Sequence, residues 1–184
     1  MAAHVGALGA ALAEMVAGLT IGRKKYVAVD GAMKELAASA ATLGARLNAL
    51  VKEDSDSYAL VSAAHKLPKE NPAQAAARDA AIQAALMKAA AVPLETARAC
   101  VAVAKLAATC AQKGNTNAVS DAGVAALLAE AACKGAAYNV RINVASMSDP
   151  HTGKALADEA AALVHECASA AIDAISAVER AIGG

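Results

Sequence analysis

Asp54, Asp121, Asn139 and Asn143 stand where a helical pattern otherwise sets small or aliphatic side chains. Met33, Leu36, Ala40, Leu43, Leu47 and Leu50 repeat at three- and four-residue spacing, and the next position in that stripe is Asp54. A carboxylate taken out of water must be paired with a donor or give up its charge. Asp54 is therefore either bonded to a neighbouring helix, poised beside a ligand, or placed where the stripe has reached solvent. A second stripe runs through Asp121, Ala125, Leu128, Ala132, Gly135, Asn139 and Asn143. About 27 Å of helix separates Asp121 from Asn139 at roughly 1.5 Å per residue, so they serve opposite ends of a long ligand or sites in different subunits.

The stretch GNTNAVSDAGVA, residues 114–125, concentrates hydrogen-bonding groups ahead of the second stripe. Ser120 or Asp121 can act there as a helix N-cap. A cap accounts for one of them and leaves Asn115 and Asn117 free to hold a ligand. Arg23 and Lys24, in the run GRKKY, are either a solvated turn or an anion clamp. Lys66 and Lys69 in KLPK are a second pair of the same kind. The four histidines show neither H-x-x-x-H nor H-E-x-x-H spacing, so no metal site is expected. No G-x-S-x-G, phosphate-loop or dinucleotide-binding glycine pattern occurs.

The elements that must position these groups are helices. Alanine supplies 57 of the 184 residues, and alanine has the highest helix propensity with the least side chain to bury. Helical segments are expected at roughly 2–20, 28–65, 73–112, 120–146 and 152–182, with Pro93 kinking or splitting the third. The expected fold is all-α: a bundle of about five long helices in one domain over residues 1–184. Alanine-rich helices approach closely yet offer little apolar area each, so pairing into a homodimer or higher oligomer is expected. The segment from Ala2 to Leu19 is apolar enough for a signal or anchor. However, it lacks a basic leader, and His4 and Glu14 interrupt it, so it reads as a core helix with no membrane partner. Seventeen basic residues balance seventeen acidic ones, and Trp and Phe are absent. Neither charge nor stacking surface favours a nucleic acid. Cys100, Cys110, Cys133 and Cys167 form no C-x-x-C pair and read as buried free thiols of a cytoplasmic protein.

GALGAALAEMVAGLTIGRKKY, HKLPK, AAVPLETA, KGNTNAVSDAGVA and AAYNVRIN follow one another in this chain. In that order and spacing they resemble the cyclodeaminase/cyclohydrolase family of folate enzymes. The resemblance covers nearly the whole chain. It implies a dimer with a folate site in a cleft near the helix ends and a tetrahydrofolate derivative, possibly polyglutamylated, as substrate. It implies no cofactor beyond that substrate. SDAGVA and TIGRKKY are more similar to the bacterial methenyltetrahydrofolate cyclohydrolases than to the animal formiminotetrahydrofolate cyclodeaminases. Asp121 and Asp54 are then the expected acid/base or electrostatic groups. Arg23, Lys24 and Lys66 would bind the glutamate tail or polarise a carbonyl. Asn115, Asn117, Ser120, Asn139 and Asn143 would bond the pterin or order the loop. Family members carry a P-G-G-G-S segment before the first alanine-rich helix, and this sequence starts instead at MAAHVGALG. That segment is expected to be missing, with catalysis weakened more than the fold. A non-catalytic helical assembly protein is the reading from another class.

Overall fold

The computed structural model describes residues 1–183. Five α-helices account for nearly all of them: α1 (Ala2–Thr20), α2 (Asp30–His65), α3 (Pro72–Lys113), α4 (Val119–Val144) and α5 (Pro150–Gly183). Two 3₁₀ turns, Lys24–Val29 and Thr116–Ala118, lead into α2 and α4. No strand occurs among the described residues. The expected segments match these helices to within two residues at every end, and a 3₁₀ turn takes up the first two residues of segment two.

α1 lies in the groove between α2 and α4, across α3, and α5 packs against α3 and α4. By length and composition α1 and α5 would each cross a membrane. In this fold Ala10, Ala13, Val16 and Ala17 of α1 are fully buried among its three neighbours. The approach is close because the side chains are small. A Cβ built on Gly9 would stand 2.9 Å from the carbonyl oxygen of Ala125 in α4. That oxygen is backbone and cannot rotate aside, so only glycine fits. All four cysteines are free and buried. Burial pushes the Cys100 and Cys110 thiols up to about 12, which makes them inert core atoms at neutral pH.

Pro93 does not split its helix. α3 runs unbroken through it, and Pro93 is itself buried. The expected capping of α4 is also corrected. Neither Ser120 nor Asp121 is the N-cap; that position is Ala118, with no side-chain bond. The loop before it already ends in a 3₁₀ turn, which places Ser120 and Asp121 inside the first turn of α4. Asn115 caps the 3₁₀ turn instead, its Oδ1 accepting from the Asn117 N–H at 3.0 Å. On α2 Leu47 and Leu50 are fully buried, whereas Asp54 is half-buried and makes no bond to a neighbouring helix among the described residues.

Arg46 ties α2 to α3. Arg46 donates to both carboxylate oxygens of Glu95, at 2.6 and 2.8 Å, and to both of Glu53. These bonds hold the Glu53 carboxyl below its ordinary value of 4.5. A carboxyl lowered by folding binds fewer protons in the folded than in the unfolded chain. Its contribution is present above the ordinary range and lost as pH falls through the folded value. Thermal melts from pH 7 downward should therefore fall more steeply below about pH 4.5 in the native chain than in Arg46→Met. Parallel curves would show that the cluster adds nothing. Gly9→Ala should lower the Tm, since overpacking costs about 1–3 kcal/mol. Gly31→Ala is the control: a Cβ there meets nothing within 4 Å, and its Tm should hold or rise.

Candidate functional site

An open cleft of about 750 Å³ lies between the C-terminal halves of α2 and α4, floored by α3. That volume suits a small-molecule ligand. Asp54, Ser57, Tyr58 and His65 line it from α2, Ile82, Leu86 and Ala89 from α3, and Asn139, Ile142 and Asn143 from α4. Met1 stands at its edge. A side chamber of about 140 Å³ runs under the start of α1 and is lined by Asp54, Pro93, Thr96 and Asn139.

Pro93 explains one of these residues. Proline has no N–H, so in a continuous helix the carbonyl four residues earlier loses its donor. That carbonyl belongs to Ala89, and Asn143 Nδ2 donates to it at 2.9 Å. The same nitrogen bonds the Asn139 carbonyl at 2.9 Å, and Asn139 Nδ2 bonds the Gly135 carbonyl. Asn143 thus spends both of its side-chain N–H groups on backbone and Asn139 one of its two. Their oxygens accept no bond among the described residues and are available to a ligand's donors. The Asp54 carboxylate likewise makes no hydrogen bond or ion pair among the described residues. A free carboxylate beside two amide oxygens attracts a cationic or N–H-rich ligand.

The remaining expected site residues lie elsewhere. Arg23 and Lys24 meet Asn115 and Asn117 at the other end of α1, in a basic pocket of about 420 Å³ completed by Lys25, Tyr26 and Thr116. Here the expected ligand loop is itself tied down. The Asn115 N–H donates to Thr20 Oγ1 at 2.9 Å, and its Nδ2 donates to the Leu19 carbonyl at 3.0 Å. A Cβ on Gly114 would sit 2.5 Å from the Cys110 carbonyl oxygen, which explains the glycine that opens the loop. The Thr116 N–H donates to Tyr26 Oη at 3.0 Å. Bonds from Thr116, with Lys25 close by, hold the Tyr26 phenol below its ordinary value. Asp121 is half-buried in the first turn of α4, four residues after Asn117, and Ser120 is exposed. Lys66 and Lys69 are exposed beyond the end of α2 and line neither space. Arg23 and Lys66 flank opposite ends of a helix about 54 Å long, so within one chain they do not grip one group.

His65 and Tyr58 were missed as cleft residues. Their signal was available: Asp54, Tyr58, Val61 and His65 continue one face at spacings of four, three and four. Among the described residues, no group of three His, Cys, Asp or Glu side chains is arranged to hold a metal ion.

The chain is similar to known proteins in sequence and in fold. The model of the formiminotransferase-cyclodeaminase family matches residues 1–162. The chain is 44% identical over 148 residues to the methenyltetrahydrofolate cyclohydrolase of Methylorubrum extorquens, covering 80% of this chain and 71% of that one. It is 39% identical over 149 residues to the formimidoyltransferase-cyclodeaminase of Rattus norvegicus, covering 81% of this chain but only 28% of that longer protein. Its fold matches the crystal structure of the formiminotetrahydrofolate cyclodeaminase of Thermotoga maritima with a TM-score of 0.87 and 28% identity, over 98% of this chain and 86% of that one. The fold and the match over most of its length define an all-helical folate-enzyme domain. The chain belongs to the formiminotransferase-cyclodeaminase family.

Asn143→Leu tests the cleft's construction. It leaves the Ala89 carbonyl without a donor, and the expected loss is about 1–3 kcal/mol of stability by denaturant titration. Paired with Pro93→Ala, which restores the helical donor, the loss should shrink. Equal losses in both backgrounds would show that the amide and the proline act independently.

Proposed function

We propose that this chain hydrolyses 5,10-methenyltetrahydrofolate to 10-formyltetrahydrofolate. The observation that carries this reading is the unpartnered Asp54 carboxylate in a ligand-sized cleft. The higher identity to a cyclohydrolase than to the cyclodeaminases supports it. The substrate's bridging carbon lies in a cationic amidine, and a carboxylate beside it stabilises that charge. Water attacks the carbon and passes a proton to the carboxylate. The tetrahedral centre then collapses: one C–N bond breaks, the departing nitrogen receives the proton held by the carboxyl, and the hydroxyl proton is released to water as the formyl C=O forms. The Asn139 and Asn143 oxygens accept bonds from pterin N–H groups. Arg23 and Lys24 bind tail carboxylates, and Asp121 and the Asn115–Asn117 loop frame that second site. Ser120 and Lys66 contribute from the surface. The reaction needs no cofactor beyond the folate.

Cyclodeamination of formiminotetrahydrofolate is the second reading, favoured by the fold match to a cyclodeaminase. There a nitrogen already on the substrate attacks, ammonia leaves, and entering water would be a side reaction. The working form is a homodimer. An apolar surface supports this: Leu8, Met15 and Leu19 on α1 and Val124 and Leu127 on α4 are all at least 40% exposed, an uncommon arrangement for a monomer. Four free thiols fit a reducing compartment such as the cytoplasm.

The test follows two signals in one preparation, loss of the methenyl chromophore and release of ammonia. The protein should hydrolyse the methenyl compound, and it should release no ammonia from the formimino compound. Asp54→Asn should lower kcat by about 10²–10⁴-fold while the helical circular dichroism is unchanged. Ammonia release without hydrolysis would reverse the order of the two readings. Neither signal, with no thermal shift by a folate analogue, would leave a non-catalytic assembly protein.

A further inference from the structure

We propose that a pocket between α4 and α5 binds a small organic anion, an oxyanion head carried on a planar apolar body. The pocket holds about 240 Å³. It lies on the α5 side of α4, apart from both the cleft and the basic pocket described above. Its occupancy is independent of the folate reading. Lys134, Tyr138 and Arg141 line it from α4, and Ala161, Val164 and His165 line it from α5.

Every polar side chain at this surface can donate a hydrogen bond. A guanidinium carries five N–H donors and no acceptor, an ammonium carries three, and imidazole and phenol each keep at least one. Among the described residues no carboxylate lines the pocket. The carboxylates on the adjoining turns are already engaged. Glu130 binds Lys134 at 2.5 Å, Glu166 binds Lys105 at 2.5 Å, Glu159 binds Arg98 at 2.6 Å, and Asp158 binds Lys154. The Arg141 side chain makes no hydrogen bond or ion pair among the described residues, and neither does that of His165. This sets Arg141 apart from the arginines that tie other helices together. Arg46 crosses to Glu95, Arg98 to Glu159, and Arg78 to the His65 carbonyl. Opposite Arg141, α5 presents a histidine rather than an acid.

Lys134 and Arg141 stand about 10 Å apart along one helix face, and an anion between them is attracted by both. The guanidinium fork fits two oxygens of a carboxylate or a phosphate. Tyr138 falls between the two cations and is 61% exposed, in a chain with three tyrosines and no Phe or Trp. Its ring offers a flat apolar face for stacking, beside a floor of Ala137 and Val164. The volume is below the roughly 300–1,000 Å³ of drug-sized sites, so the anion is a small one. Inorganic phosphate alone would leave the apolar floor uncovered.

Benzoate, phenyl phosphate, inorganic phosphate and benzyl alcohol are each titrated into the ¹⁵N-labelled protein. Benzoate or phenyl phosphate should shift the amides of residues 134–141 and 161–165 saturably. Either should bind at least about tenfold more tightly than inorganic phosphate or benzyl alcohol. Arg141→Gln should weaken that binding by about tenfold or more. Ala161→Phe fills the pocket without removing a cation and should abolish the shifts. Arg180→Gln, on α5 away from the pocket, should leave them unchanged. Shifts confined to the cleft or to the Arg23 pocket, or no saturation by either aromatic anion, overturn the site. Equal binding of inorganic phosphate or of benzyl alcohol overturns the ligand class. Unchanged affinity in Arg141→Gln overturns the placement of the anionic head.

Discussion

Close backbone contact between α1 and its neighbours is the constraint on which the rest of this structure depends. At Gly9 the α4 backbone stands where a Cβ would be, and alanines line most of the remaining seam. Dispersion forces and burial act over many small contacts here rather than a few large ones. Such packing permits little sideways shift, because an added methyl meets main chain. The position of α1 in its groove is thereby fixed.

Within the cleft the polar groups are set by a backbone defect. Pro93 keeps a helical φ but supplies no N–H, and the freed Ala89 carbonyl takes its donor from Asn143. The donor's own geometry turns the amide oxygen away from α3. A structural need and an opening for a ligand are thus met by one side chain. Arg46, chelated between Glu53 and Glu95, fastens the same stretch of α3 to α2. The carboxylate of Asp54 lies between these two fastenings with no protein partner of its own. A group left so in a half-buried cleft is costly unless a ligand or water completes it.

The helical content, the number of helices and their ends were legible in the sequence because alanine propensity and three-four spacing are local properties. Asp54, Asn139 and Asn143 were legible as exceptions on a stripe, and the structure gathers them in one cleft. The capping of α4 was not legible. The 3₁₀ turn at Thr116–Ala118 advances the helix start by a residue or two, and that choice depends on Asn115 reaching back to Thr20 and Leu19 across the bundle. His65 was overlooked although its spacing continued the stripe. Of the two effects expected of Pro93, splitting the helix does not occur, because burial with a donor from α4 outweighs the lost hydrogen bond.

The sequence by itself determined a helical, alanine-packed chain with few charged breaks, because propensity and periodicity act over a few residues. Only the tertiary structure decided which breaks belong together. Arg23 and Lys66 look alike as basic turns, yet α2 holds them far apart. Arg23 and Asn117 are distant in sequence and share a pocket. Long-range pairing depends on how three helices stack, and that stacking is set by glycine and alanine contacts whose partners no local pattern names.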